Sequence, residues 1–564
     1  LYTAEVLQVV KQSERFDAIV VGSGATGGWA AKELTEAGLR VCLLEAGPKV
    51  TEADFTEHMQ SSDLKYRFLH PTQSPRQPIQ RLCYACRESN KSWFVDDVDN
   101  PYTFDKERPF HWIRMRVLGG RSLSWGRQSY RLSDLDFKAA SHDGYGEDWP
   151  ISLAEIEPYY EKVERYVGIS GQAEGLPHLP DSVFLPAMGL TCGETLLRDG
   201  VRAKMNRTVT IGRVAVVTKN HNGRAACHYC GPCEQGCITY SYYSSPFTTL
   251  RDAEQTGRLT LRTDAVASRV MTDGSTGKAS GVAYIDRLTR EEREVRAKVV
   301  MLCASTLEST RLLLNSAPGG LANSSGVLGR YLMDHIYKGY SQGEFPQLPK
   351  GQAWHGPPRR PNGLYIPRFR NLQRNQKLGF LRGYGYQGSS FPSFAMGAPG
   401  FGSKYKEAVR ADAEWSIGLN AFCECLPRRE NYVELDPQVR DAWGVPALRV
   451  NMTWSSNELE LWRDAQVQGA EMLEAAGAKN VRNAGAPSVP GFGIHEMGTA
   501  RMGSDPKKSV LNARNRTHDI DNIYITDGAA FPSIGCQNPT LTMMALTVRA
   551  CEEIVERGKR GELG

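Results

Sequence analysis

Residues 16–48, FDAIVVGSGATGGWAAKELTEAGLRVCLLEAGP, constrain the fold of this chain more than any other stretch. The apolar run Ala18–Val21 has the composition of a buried parallel strand. Gly22, Gly24 and Gly27 follow as G-x-G-x-x-G, then a helical pattern from Trp29 to Ala37, then a second apolar run, Val41–Leu44, that ends in Glu45. In such a unit the first glycine permits a tight turn, the second lets backbone approach a pyrophosphate, and the third lets helix pack on strand. The helix N-terminus turns its positive end to the phosphates, and an acid about 20 residues on, here Glu45, accepts from a ribose hydroxyl. Strand, glycines, helix, strand and acid in this order predict a dinucleotide site.

A second piece stands near the other end, in DNIYITDGAAFPSIGCQNPTLTMMALTVRACEEIVERG. Its apolar strand, Ile523–Thr526, runs into Asp527 and Gly528, with a helical segment expected from about Thr540 to Glu556. A strand ending in Asp-Gly ahead of a helix reads as a second phosphate or ribityl site. Both ends of the chain are therefore expected to hold one cofactor.

With 564 residues, 41% of them hydrophobic, the chain can bury two substantial domains. Lys plus Arg (68) nearly balances Asp plus Glu (63), and the formal charge of +5 gives no reason to expect nucleic-acid binding. No apolar run approaches the length that crosses a bilayer, and LYTAEVLQVVKQSERFD at the start lacks a signal-peptide layout. The expectation is a soluble protein without direct membrane insertion. Localisation is left open between the periplasm, after export with a partner, and the cytoplasm.

Further segments make the reading specific: RVLGGRSLSWGRQSYR (116–131), LCASTLESTRLLLNSA (302–317), GRYLMDH (329–335), HEMGTARMGSD (495–505) and ITDGAAFPSIGCQNPTLTMMALTVRA (525–550). With these in order, the chain resembles a glucose–methanol–choline (GMC) flavoprotein oxidoreductase. Within that family it resembles the catalytic subunits of FAD-dependent glucose dehydrogenases and glucoside 3-dehydrogenases, including at DWPISLAEIEPYYEKVERYVGISG (148–171). The resemblance implies an α/β chain, α+β overall. A Rossmann-like FAD-binding domain would be assembled from 14–144, 206–335 and 486–564, and a substrate-binding domain on a mainly antiparallel sheet would be inserted at 145–205 and 336–485. The Pro- and Gly-rich stretch at 346–370, which lacks β-α-β alternation, agrees with an insertion there.

Alcohol oxidation by a flavin needs a base for the hydroxyl proton, and histidine has a suitable pKa. The resemblance puts that role on His495, with Asn538 as its partner in holding the oxygen. Considered alone, His495 reads as a structural histidine and Asn538 as a turn residue before Pro539. Gly119 and Gly120 would let backbone approach the isoalloxazine, and Ser122 or Ser124 would touch the ring. Related pyranose oxidases carry a flavin-linking His where this chain has Ser124, so FAD is expected to be bound non-covalently. Arg114, Arg116, Arg121, Arg127 and Arg131 read as solvated or salt-bridged surface charges, with one offsetting the reduced flavin.

The thirteen cysteines are unevenly spread. Cys227, Cys230, Cys233 and Cys237 fall in a C-x2-C-x2-C-x3-C run, close to a ferredoxin spacing but followed by Ile238 rather than Pro. An iron–sulfur cluster is the leading reading, with a structural loop, disulfide-bonded or not, and a zinc site as alternatives. The glucose dehydrogenases that the chain resembles carry a three-iron cluster in a cysteine-rich loop, so a 3Fe-4S or 4Fe-4S cluster is implied. Cys83/Cys86 and Cys423/Cys425 read as local disulfides or buried thiols.

Together these imply oxidation of a ring hydroxyl of a sugar or glycoside. Electrons would pass through the cluster to an external acceptor such as cytochrome c, with a small accessory subunit as a further candidate partner. An oxidase that uses oxygen and a hydroxynitrile lyase that keeps FAD without redox turnover are the alternatives.

Overall fold

In the computed structural model, which describes residues 15–563 except 58–70, 338–339, 351–359, 375, 377, 394–398 and 412, the predicted first strand forms at Arg15–Val21. Residues 1–14 and part of the Pro- and Gly-rich stretch lie outside the described residues. Val41–Leu44 and Leu259–Arg262 extend this strand on one side in parallel, and Glu292–Leu302 pairs with it in parallel on the other. Glu292–Leu302 is long enough to serve two neighbours. Its C-terminal residues pair in parallel with Ile523–Ile525, and its N-terminal residues pair antiparallel with Ala279–Asp286, which continues to Ala265–Thr272.

Parallel strands covered on both faces read as unbroken apolar runs. Ala18, Ile19 and Val20 accordingly have no exposed surface, and the helices Ala25–Glu36 and Thr540–Lys559 bury their apolar positions with the sheet. Truncating Ile19 to Ala would cost about 2–5 kcal/mol, because its cavity could not collapse. The turn into the first helix needs glycine twice. Gly22 has φ +96°, and a Cβ on Gly27 would overlap the Gly22 carbonyl oxygen.

A second sheet of six strands is antiparallel throughout, in the order 479–484, 340–344, 414–423, 384–393, 364–366 and 210–211. Along Glu414–Cys423 burial alternates strictly. Trp415, Ile417, Leu419, Ala421 and Cys423 enter a core with Leu197 and Val201 of the helix Cys192–Met205 and with Leu461, Met472 and Leu473 of the helix Ser456–Ala475. The period of two then turns Phe422 to the other face, where it lines the principal cavity. Gln387, from Tyr384–Ser393, lines the same cavity.

The architecture is thus a Rossmann-like layer joined to an antiparallel sheet with two helices on its outer face, as expected from the sequence. No helix among the described residues is long and apolar enough to cross a membrane.

Gly27→Ala tests the close approach at the first turn. Overpacking there costs about 1–3 kcal/mol, so the variant should melt lower and carry less FAD per chain, read from the ratio of flavin to protein absorbance. Full occupancy with unchanged melting would contradict the assignment.

Candidate active site

The parallel strands end together, and in open α/β sheets ligands bind beyond those carboxyl ends. There a cavity of about 440 Å³ opens, lined at one end by Gly22, Gly24, Glu45, Cys303, Asp527 and Gly528. Gly24 caps the helix Ala25–Glu36 and no side chain bonds to its first turn, which leaves those N–H groups to a ligand. Glu45 lies where an acceptor for a ribose is expected, but it also has protein partners. One carboxylate oxygen accepts from Gly47 N at 2.8 Å and the other from Ser23 N at 3.2 Å and from the Ser23 hydroxyl. Asp527 accepts from Ser309 Oγ and Ala529 N, and burial pushes it up to about 6.

Gly120, Ser122 and Ser124 also line the cavity. Gly119 stands just behind them, where a Cβ would collide with Pro246. The Ser122 hydroxyl is committed to the fold, donating to Gly119 O at 2.7 Å and accepting from Ser245 N at 3.1 Å. Ser124 Oγ points to Met115 Sδ at 2.9 Å.

Farther along the same cavity, His495 Nε2 lies 3.2 Å from Asn538 Nδ2, and His495 Nδ1 lies 2.8 Å from His335 Nδ1. A chain of donors and acceptors assigns the protons. The Gly535 carbonyl can only accept, so His335 Nε2 donates to it at 2.6 Å. His335 Nδ1 is then bare and accepts from His495 Nδ1–H, which leaves the His495 Nε2 lone pair facing Asn538 and the cavity. Asn538 is oriented in turn, because its Oδ1 accepts from Gln387 Nε2 at 2.6 Å. Burial, with His335 and Arg121 nearby, holds His495 well below the usual histidine range, and burial takes His335 down to about 4. Both rings are neutral at neutral pH, and His495 Nε2 carries no proton.

The neighbouring Asp334 holds the pair in place. Its carboxylate accepts from the backbone N–H groups of His335, Gly491, Gly493 and His495 at 2.9–3.0 Å. Burial and Glu496 push Asp334 up to about 7 against the pull of those donors. Beside His495 stand three aromatic rings. Phe422 lies 5.8 Å from it centre to centre, Tyr337 lies 5.1 Å from Phe422, and Phe492 lies 6.2 Å from Tyr337.

The sequence profile of the GMC oxidoreductase family matches residues 16–337 and again 427–547. The chain belongs to the GMC oxidoreductase family. It is 30% identical to 2-methyl-1,2-propanediol dehydrogenase of Mycolicibacterium austroafricanum over 97% of this chain and 96% of that protein. It is 27% identical to the fructose dehydrogenase large subunit of Gluconobacter japonicus over 97% and 98%. Pyridoxine 4-oxidase from Mesorbium loti shares the fold, with a TM-score of 0.60 at 18% identity, covering 95% of this chain and 98% of that one. GMC oxidoreductases bind FAD, and the open glycine turn and uncapped helix N-terminus fit its pyrophosphate.

In this GMC oxidoreductase the arginines of 114–131 are salt-bridged, as one of the two expected readings had it, but Arg114, Arg127 and Arg131 are buried rather than at the surface. Arg114 and Arg116 converge on Glu308 at 3.9 and 2.9 Å, Arg121 meets Glu496 at 2.9 Å, and Arg131 meets Glu164 and Glu157. Against its burial, Arg311, Arg116 and Arg114 hold Glu308 down at about 2. Only tertiary neighbours could have shown this.

Cys227, Cys230, Cys233 and Cys237 all line one small cavity of about 20 Å³, separate from the large one. Their loop is anchored by Asn90 Nδ2 donating to Glu234 O at 2.8 Å and by Thr56 N donating to Gln235 O at 2.9 Å. Cys83/Cys86 and Cys423/Cys425 are thiols rather than disulfides, as are the four of the loop. Burial pushes the Cys227, Cys230 and Cys233 thiols up to about 11, while Arg127 draws Cys233 back toward thiolate. Among the described residues no three His, Cys, Asp or Glu side chains converge as the ligands of a single ion do.

Asp334, His335 and Gln387 carry no sequence signal of their own beyond the Asp-His pair ending GRYLMDH. Two measurements test their arrangement. His335→Leu removes the acceptor that fixes the His495 tautomer and should slow flavin reduction by about 10-fold or more, within the roughly 10,000-fold that a wrong tautomer costs a serine protease. His335→Gln, which can both accept and donate, should recover much of that loss. In the parent protein, flavin reduction should fall as pH drops through about 7, where Asp334 takes a proton and loosens its N–H contacts, and His495, held neutral by its lowered pKa, should add no step of its own at the ordinary histidine midpoint. In Asp334→Asn, which keeps a carbonyl acceptor but does not titrate, the rate should stay level from about 8 through 6.5, and a rate that still halves near 6.5 there would refute the neutral pair.

Proposed function

We propose that this GMC oxidoreductase oxidises a ring hydroxyl of a sugar or glycoside to a ketone or lactone, with FAD held non-covalently. The observation that carries the reading is the bare Nε2 of His495 opposite Asn538 in the cavity that also holds the glycine turn. A substrate hydroxyl placed between these two side chains gives its proton to His495 Nε2 and accepts from Asn538 Nδ2. FAD, when bound, supplies the acceptor for the hydride. Burial keeps water from competing for His495, and the His335 and Gln387 hydrogen bonds keep base and amide aimed at one oxygen. The arc of Phe422, Tyr337 and Phe492 offers apolar faces to the C–H side of a sugar ring, as ligand sites of this size commonly do. The 27% identity over nearly the full length of a fructose dehydrogenase large subunit supports both the substrate class and a partner subunit.

The electrons leave, on this reading, through an iron–sulfur cluster held by three or four of Cys227, Cys230, Cys233 and Cys237, toward an external acceptor such as cytochrome c. The donor set fits: all four thiols border one cavity, with His228, Ser241, Tyr229 and Tyr242 beside them, and soft thiolates suit such clusters. A cluster is wider than a single ion, so its ligands need not converge as those of a zinc ion would. The segments 14–144, 206–335 and 486–564 would then be the FAD-binding part, with 145–205 and 336–485 forming the substrate part.

His495→Ala should keep FAD and lose substrate-driven flavin bleaching by about 100- to 10,000-fold, the usual contribution of one positioned base. Asn538→Ala should lose less, and near-normal bleaching in the His495 variant removes it from the mechanism. Acid denaturation should free all FAD, since Ser124 offers no link to it; yellow colour left on the precipitate would show an attachment. Anaerobically purified protein should contain iron and acid-labile sulfide. If it contains neither, and bleached flavin reoxidises in air with hydrogen peroxide as product, an oxidase is the better description.

A further inference from the structure

Arg127 differs from the other arginines of its segment. Its backbone is left-handed, φ +60°, a conformation that costs an ordinary residue about 1–2 kcal/mol. The strain is held by two hydrogen bonds to its carbonyl, from Ala215 N at 2.8 Å and Ser129 Oγ at 3.0 Å. The turn sends the side chain inward, where the residue is 4% exposed.

There the guanidinium packs over the Tyr242 ring at 5.2 Å, and Tyr242 is part of the wall of the cysteine cavity. Its nearest carboxylate is Glu234, beside Cys233 in sequence, at 3.9 Å from Nη2. Nε and Nη1 have no hydrogen-bond partner and no contact with open space. A buried charge paired only at this distance costs several kcal/mol, and a further anion beside it would offset that cost. The residue borders the large cavity, but Nε and Nη1 have no contact with open space there, and Nη2 faces Glu234 of the cysteine loop. A cluster on the thiolates of that loop is anionic.

Resting on the cluster reading above, we propose that Arg127 is the fixed positive charge between the flavin cavity and that cluster, a positioning residue that raises the cluster's reduction potential. Potentials of such clusters follow local net charge and exposure. Removing the positive charge therefore makes electron uptake harder, and removing the negative charge of Glu234 makes it easier.

The test is an EPR-monitored redox titration of the purified holoenzyme, with iron and sulfide counted in every preparation. Arg127→Gln should lower the cluster midpoint by about 59 mV, a tenfold change in a one-electron equilibrium, while the flavin midpoint moves less. Arg127→Lys should stay closer to the parent, and Glu234→Gln should shift upward. An unchanged cluster midpoint in iron-loaded Arg127→Gln, or a shift confined to the flavin, overturns the proposal. If Arg127→Gln loads no iron, Glu234→Gln decides, and an unchanged midpoint there overturns it. Absence of iron and sulfide from the parent protein overturns the cluster reading itself, and is seen before any variant is made.

Discussion

The Asp334 carboxylate gathers four backbone N–H groups, and the geometry of the candidate active site follows from that one buried acceptor. Three of the donors belong to the segment 491–495, which has no regular secondary structure to hold it. A loop with left-handed residues at Gly491 and Ile494 would otherwise sample many conformations. Bound to Asp334, it delivers His495 to within hydrogen-bond reach of His335, the residue next to Asp334 in sequence. The two histidines are coupled because one carboxylate fixes both of their backbones.

Burial then sets the chemistry of the pair. Removing the rings from water disfavours their charged forms, and no acid bonds directly to either ring to offset this. Hydrogen bonding decides which nitrogen carries each proton, starting from the Gly535 carbonyl and ending at Gln387 on the antiparallel sheet. The site is therefore made jointly by the Rossmann-like layer, which ends its parallel strands at the cavity, and the second sheet, which contributes Gln387 and Phe422.

Charge is handled differently on the side of the cavity that faces the cysteine loop. Arginines along 114–131 are paired by acids distant in sequence, and the Arg131–Glu164 pair among them is fully buried, where solvent screening is weak. Arg127 is the exception within that segment, and it is the one beside the thiols. Its one ion-pair partner is Glu234 of the cysteine loop, at 3.9 Å, and its Nε and Nη1 make no hydrogen bond.

The dinucleotide half was legible in the sequence because its constraints are local. Gly22, Gly24, Gly27 and Glu45 lie within one β-α-β unit, where spacing alone implies geometry, and Asp527 and Gly528 end a strand that must join the same sheet. His495 and Asn538 were named from motif context, and the structure brings them to 3.2 Å. The four-cysteine run was visible as spacing, and the fold gathers all four around one cavity. Sequence could not assign His335 or Gln387, because a tautomer depends on partners 160 and 151 residues away. It left the arginines open between solvated and salt-bridged and put them at the surface, since a charge's burial is hidden until its acid partner is known. Local backbone chemistry is written in order along the chain; proton positions and charge pairing exist only once distant segments meet and water is excluded.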